Sequence, residues 1–301
     1  MAAFTDKFTT QEGKPRAFVE LENYKTLWFN TGTLCNLTCK NCYIESSPKN
    51  DRLQYISFDE FKMFVDETIE NKMGTTEIGF TGGEPFMNKD IFKMIQYALD
   101  CDFKTLVLTN AMKPMMNNRD ELLKNNHPNL TLRVSIDHFT KEKHEEIRGS
   151  NSWDPMVEGI KWLSDNNFDY SLATRLMWDE DEVTTRQSFK QFLNENQLDL
   201  DVNSKTKLVT FAEMDEKAKT PEITTECWNI LNKNPSEIMC SSSRMIVRKK
   251  GSEKASVIAC TLLPYEEAFD MGSSLKEASQ KVYLNHPHCS KFCVLGGSSC
   301  S

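Results

Sequence analysis

Three cysteines stand within eight residues, Cys35-Asn36-Leu37-Thr38-Cys39-Lys40-Asn41-Cys42, in a CxxxCxxC spacing. Thiolates three to four residues apart on one short loop can converge on a single metal centre. Zinc ordinarily takes four protein ligands, and no fourth Cys or His lies nearby in the sequence. A 4Fe-4S cube held by three thiolates keeps one iron open, and an open iron can bind a substrate or cofactor. A second set, Cys240, Cys260, Cys289, Cys293 and Cys300, falls in the last 62 of the 301 residues. Five thiols exceed the four that one cluster needs. A structural zinc site of four thiolates is the alternative there. His286 and His288 flank Cys289 and could substitute as ligands, although such histidines more often sit behind the ligands than on the metal.

The elements that must position these groups follow from hydrophobic periodicity. Short β-prone runs lie at 25–31, 76–81, 104–109, 130–136, 170–177 and 205–211. Helical patterns fall between them. Ser57 and Glu60 form a capping box, opening a helix with Phe58, Phe61, Val65 and Ile69 on one face. Asn88 is expected to cap a helix carrying Ile91, Phe92, Ile95 and Leu99. Further helices are expected near 117–125, 154–166 and 183–196, the last entered through the acidic run Asp179-Glu180-Asp181-Glu182. Strands alternating with helices argue for a parallel α/β sheet. Six units between 25 and 213 fall short of the ~250 residues of an eight-unit barrel. A partial (β/α)6 barrel fits better.

After residue 213 the composition becomes polar. A helix is expected near 221–233, then a β-hairpin turning at Gly251 between Cys240 and Cys260, then a helix near 274–283. Arg244, Arg248, Lys249 and Lys250 belong to that hairpin and read as a solvated edge. This end is too poor in apolar residues to build much core alone, and a metal cluster could hold it together. The chain therefore divides into a lead-in (1–24), a core (25–213) and a small C-terminal cysteine-rich hairpin/helix domain (214–301).

The second strand runs into Thr81-Gly82-Gly83-Glu84-Pro85. Two glycines let backbone approach a ligand closely, and Glu84 offers an acceptor for an ammonium group. One βα unit earlier stands CNLTCKNCY, directly after the first strand. Together these resemble the signatures of the radical S-adenosylmethionine (radical SAM) superfamily. The resemblance implies reductive cleavage of SAM to a 5′-deoxyadenosyl radical that abstracts hydrogen from a substrate carbon. It implies SAM at the C-terminal ends of the strands, near Gly82, Gly83 and Glu84. Asn110 would lie close to SAM, Ser135 and Asp137 would reach its ribose, and Arg175 would hold its carboxylate. The residue before the third cysteine is often aromatic in the family; here it is Asn41, with Tyr43 following Cys42. Either could face the adenine.

The C-terminal cysteines look like a SPASM or shorter twitch extension, which implies one auxiliary 4Fe-4S cluster. Cys240 and Cys260 would supply two ligands, and Cys289, Cys293 and Cys300 the rest, with one thiol over. Net oxidation or bond formation assisted by that cluster is the expected outcome. The substrate would be a small metabolite or a peptide, and an external one-electron reductant a partner. The short lead-in leaves no room for a peptide-recognition domain, which leans towards a small molecule or a peptide delivered by another protein. A two-cluster electron-transfer or binding protein without SAM chemistry is the competing reading. No residue is singled out as a catalytic acid, base or radical quencher.

Composition narrows the remaining classes. Hydrophobic residues make up 39% and charged residues 27% of the chain, too apolar for a disordered protein. The net charge of −8 repels phosphate, which argues against nucleic acid. No run of ~18 apolar residues exists, so no membrane span is expected. No secretory h-region follows the first methionine. Ten cysteines in a cytoplasmic protein would stay reduced and call for metal rather than disulfides.

Overall fold

The computed structural model describes residues 2–178, 180–212 and 219–297. Ten strands are present among them: β1 (Phe18–Val19), β2 (Thr26–Asn30), β3 (Glu77–Thr81), β4 (Lys104–Thr109), β5 (Leu130–Ser135), β6 (Asp169–Leu176), β7 (Leu208–Ala212), β8 (Ser243–Val247), β9 (Ser256–Ile258) and β10 (Val282–Tyr283). Eight form one sheet in the order β7-β6-β5-β4-β3-β2-β8-β9. Strands β2 to β7 are all parallel, as the six-unit partial barrel requires. The expected hairpin is β8 and β9, antiparallel with Met245 opposite Ile258. Its first strand continues the core sheet, pairing parallel with β2 so that Thr26 faces Ser243. The boundary expected at 213/214 lies outside the described residues.

Alternation explains how the strands point chemistry inward. In β5, Leu130, Leu132 and Val134 are buried, while Thr131, Arg133 and Ser135 are half-buried between them. A two-residue period sends these sets to opposite faces. The apolar set joins the main core with Phe61, Phe64, Ile95 and Ile160. Arg133 and Ser135 line the cleft inside the curved sheet.

The helix Phe58–Glu70 carries the expected capping box, with Ser57 accepting from the Glu60 amide and Glu60 from the Ser57 amide. Its buried face is Phe61, Phe64, Val65 and Thr68, so Ile69 is exposed rather than packed. Asn88 does not cap the next helix. Ile91–Asp100 starts from Asp90 without a side-chain cap. Asn88 instead accepts from the Asp90 amide and donates to the carbonyls of Ile56 and Thr31, tying two loops together. Asp181 caps Glu182–Glu195 as its acidic run suggested; Asp179 lies outside the described residues.

Two helices are shorter than expected, and Lys113–Met116 and Lys141–Arg148 appear where none is expected. The 221–233 region holds only Cys227–Leu231. The 274–283 region holds a single 3-10 turn, Glu277–Ser279, followed by β10 pairing with β1. Its sparse apolar residues gave a helix no face to bury. Helix Lys141–Arg148 is too highly charged to show an apolar stripe. Arg244 corrects the solvated-edge reading: β8 has neighbours on both sides, and the arginine is 1% exposed.

Candidate active site

The loop after β2 carries the first three cysteines and is stitched down along its length. The Thr31 amide donates to Thr81 O (2.8 Å), and the Gly83 and Glu84 amides donate to Gly32 O (2.8 Å) and Leu34 O (3.2 Å). The Cys35 amide donates to Ser47 O (3.1 Å), and the Lys40 amide to Ile147 O (2.8 Å). The two glycines thus make room for the cysteine loop itself. A Cβ on Gly83 would sit 2.1 Å from Leu34 O, and one on Gly82, at φ +130°, 2.5 Å from Gly32 O. Cys35 is buried, while Cys39 and Cys42 are half-buried. Burial pushes the Cys35 thiol up to about 12 and raises Cys39 as well. Metal binding would have to deprotonate them.

These thiols open onto a cleft of about 1250 Å³, counting its mouth. Gly82, Gly83, Asn110 and Ser135 line it, as do Tyr43, Asp137 and Arg175. Asn41 and Glu84 do not. Asn41 is exposed and adopts φ +56°, a left-handed conformation that asparagine tolerates well. The turn between Cys39 and Cys42 is therefore one reason for asparagine there. Glu84 is fully buried, and its carboxylate accepts from Thr109 Oγ1 (2.9 Å), the Asn110 amide (2.9 Å) and the Phe86 amide (3.3 Å). Burial raises its carboxyl to about 7 in spite of those bonds. Asn110 in turn donates to Asn36 Oδ1 (2.9 Å), linking the end of β4 to the cysteine loop.

Asp137 is also committed to protein. Its two oxygens accept from Arg148 Nε (2.6 Å) and Arg175 Nε (2.9 Å). Burial works to raise this carboxyl, but the two guanidiniums outweigh it and hold it below the usual range. Arg175 also donates to Asn41 O (3.3 Å), inside the cysteine loop. Sequence reasoning missed Arg148, which comes from the unrecognised helix 141–148 and lines the cleft. It likewise missed the far wall, formed by Phe211, Thr261, Leu262 and Phe292. Only the positions flanking Cys260 and Cys293 signalled that wall.

Cys240, Cys260, Cys289 and Cys293 are all buried and line one small apolar cavity with Met239, Leu262, Phe269 and Leu284. Cys240 precedes β8, Cys260 follows β9, and Cys289 and Cys293 are four apart on the wide π-type turn Cys289–Leu295. Burial pushes the Cys240 thiol up to about 11 and Cys289 up to about 12. His288 lines the same cavity, whereas His286 does not. Cys300 lies outside the described residues. Leu262 faces both this cavity and the cleft.

The donor sets fit iron–sulfur clusters. Among the described residues, no three His, Cys, Asp or Glu side chains converge tightly enough for a single metal ion. A cube spreads its thiolates over separate irons, wider apart than ligands of one ion. Three thiols on the cleft would leave one iron of a cluster free, while four thiols around the smaller cavity would saturate one.

Comparison with known proteins agrees with this geometry. The Radical SAM superfamily profile matches residues 29–186, just over half the chain. The antilisterial bacteriocin subtilosin biosynthesis protein AlbA of Bacillus subtilis is 33% identical over 150 residues, covering 48% of this chain and 32% of AlbA. An AdoMet-dependent heme synthase of Oleidesulfovibrio alaskensis is 27% identical over 146 residues, covering 48% of this chain and 36% of the synthase. The chain thus spans about a third of the length of these curated relatives. Among solved structures, Streptococcus suis SuiB bound to S-adenosylmethionine matches with TM-score 0.57 at 14% identity, covering 84% of this chain and 64% of SuiB. The anSMEcpe structure with bound AdoMet matches with TM-score 0.59 at 14% identity, covering 84% and 79%. At such identities the structures speak for the fold. With the matched profile and the thiol loop beside a double-glycine turn, the chain belongs to the radical SAM superfamily.

Proposed function

We propose that this chain is a radical SAM enzyme that oxidises its substrate or forms a bond within it, assisted by an auxiliary 4Fe-4S cluster. The superfamily works with a 4Fe-4S cluster and SAM. Bound here, they supply reductive cleavage of the sulfonium to a 5′-deoxyadenosyl radical that abstracts hydrogen from a substrate carbon. Cys35, Cys39 and Cys42 hold the first cluster. The chain's own groups position and shield the cofactor, which carries the hard chemistry. The Gly82-Gly83 backbone, Asn110 and Ser135 offer polar contacts to SAM, and the N–H groups of Arg175 left over from Asp137 suit its carboxylate. Tyr43, which lines the cleft, is the residue we assign to the adenine. Glu84 acts one step back, holding Thr109 and Asn110 in place. Asp137, with both oxygens on arginine, is better suited to bracing the cysteine loop than to gripping a ribose.

One observation carries the reading. The three-thiol cleft and the four-thiol cavity share a wall at Leu262, so a substrate in the cleft would lie between two redox centres. We read residues 25–213 as the SAM-cleaving core and 214–301 as the twitch-like auxiliary unit, with Cys300 the surplus thiol. The substrate is a small metabolite or a peptide. The peptide option is supported by AlbA, a bacteriocin biosynthesis protein, and by SuiB, solved with its precursor peptide SuiA. An external one-electron reductant completes the system. No helix among the described residues is long and apolar enough to cross a membrane.

The test is anaerobic reconstitution with iron and sulfide, followed by dithionite and SAM. About eight irons per chain are expected, with 5′-deoxyadenosine formed by the wild type and not by the Cys35, Cys39 and Cys42 to Ala variant. A full iron complement without 5′-deoxyadenosine, even with candidate substrates present, would turn the reading towards electron transfer.

A further inference from the structure

Arg16 and Arg244 are almost completely buried, and Arg148 is half-buried at the cleft; two of the three meet a carboxylate. Arg16 pairs with Glu222 (2.6 Å) and Arg148 with Asp137 (2.6 Å). Arg244 has no such partner among the described residues. Its guanidinium is spent on backbone carbonyls: Nε donates to Ala278 O (3.1 Å), Nη1 to Cys240 O (2.6 Å) and Ser243 O (2.7 Å), and Nη2 to Gln280 O (3.0 Å). A guanidinium does not give up its proton in a protein. Removing an unpaired charge from water is costly, and carbonyl dipoles offset only part of that cost.

The guanidinium is anchored on the Cys240 carbonyl, and the ionisable groups whose charges bear on it are Cys240, Tyr24 and Cys260. Two of the three are thiols of the four-cysteine cavity. As protonated thiols they are neutral and give the arginine no counter-charge. Four thiolates on a 4Fe-4S core leave a net negative charge, which is what the buried cation lacks. Arg244 sits four residues after Cys240, at the start of β8, and bonds to that cysteine's own carbonyl.

We propose that Arg244 is the built-in counter-charge of an auxiliary cluster held by Cys240, Cys260, Cys289 and Cys293, a positioning residue that also keeps the cluster's reduction potential high enough to accept an electron. The proposal rests on reading the cavity as an iron–sulfur site. Reduction adds a negative charge to the cluster, so a fixed positive charge beside it favours the reduced state. Net charge and hydrogen bonding around the sulfurs are recognised determinants of cluster potential.

The experiment uses the full chain with Cys35, Cys39 and Cys42 changed to Ala, so that only the auxiliary cluster loads. Iron is counted, and the midpoint is read by an EPR-monitored redox titration. Arg244→Gln keeps some bonding to the carbonyls but removes the charge. It is expected to disfavour reduction at least tenfold, about 59 mV for a one-electron couple. Arg244→Lys keeps the charge and should stay near the parent value. About four irons with equal potentials in all three proteins would overturn the counter-charge and leave the cluster reading intact. No iron in the parent would overturn the cluster reading and the proposal with it. If Arg244→Gln does not accumulate, Ser279→Asp decides. It sets a carboxylate between Ala278 and Gln280, whose carbonyls the guanidinium holds, and the same fall is expected; an unchanged midpoint refutes the proposal.

Discussion

Gly83→Ala isolates the stitching between the double-glycine turn and the cysteine loop. Gly82 has a left-handed φ, but Gly83 does not, so alanine at 83 meets no backbone strain. Its only quarrel is steric. The new Cβ would lie 2.1 Å from Leu34 O, 2.6 Å from Leu34 C and 2.9 Å from Thr33 O. Relaxing the closest pair to a non-repulsive ~3.5 Å moves the backbone next to Cys35 by about 1.4 Å. Overpacking of this kind costs about 1–3 kcal/mol, a fall of a few degrees in melting midpoint for a chain this long. The functional cost is larger, because a misplacement of about 1 Å can cost ~100-fold in rate. Iron per chain should drop from about eight towards about four as the first cluster fails to load; any cluster that does load should give 5′-deoxyadenosine ~100-fold more slowly. The assay is iron and acid-labile sulfide counting beside dithionite-driven SAM cleavage. Wild-type iron and wild-type cleavage rate together would refute the claim that these glycines exist to seat the cysteine loop.

Cys260→Ala should lose about four irons yet still cleave SAM, whereas Cys300→Ala should keep all of them; iron analysis of the two variants side by side checks this. Glu84 should make stability fall with rising pH. Its carboxyl is raised by burial to about 7 from 4.5, so the folded state binds more protons between those values. The neutral form's advantage is complete below pH 4.5 and lost as pH passes 7, a swing of about 3 kcal/mol. Glu84→Gln should flatten the pH dependence of melting over that window, and an unchanged slope would count against the buried carboxyl as its source. Arg16→Met strips the half-buried Glu222 of its cation while the Phe4 and Gln11 amides still bond it, and should destabilise by about 1–3 kcal/mol in chemical denaturation; a loss below about 1 kcal/mol would show the pair to be well solvated.

What the sequence made legible and what it hid divide along physical lines. The six parallel strands were readable because fully buried or alternating β-prone runs leave a direct trace, as LTLRVS does in β5. Cysteine spacing and the double glycine declared themselves because few other roles demand those residues in that order. The helix carrying Arg148 was invisible because its burial rests on His144 and Ile147 alone among eight mostly charged residues. Arg244 was misread because a basic run on a hairpin looks solvated until the sheet on its far side is known. For Asp137, expected at the ribose, the sequence could not show that two arginines, 11 and 38 residues away, bond both its oxygens.

The pairing of β8 with β2 has a consequence for the order in which the molecule can be made. Thr26 meets Ser243, so the strand that leads into the first cysteine loop leaves the ribosome more than two hundred residues before its neighbour. Through most of synthesis β2 is an open edge, a row of unpaired backbone groups ready to capture another chain. Closing so distant a contact is slow, and domains emerging from the ribosome tend to fold from the N-terminus. The three-thiol loop can therefore be formed and exposed while the hairpin that will shield its strand does not yet exist. The nascent chain is most vulnerable, to aggregation and to oxygen at its thiols, in the interval before β8 docks.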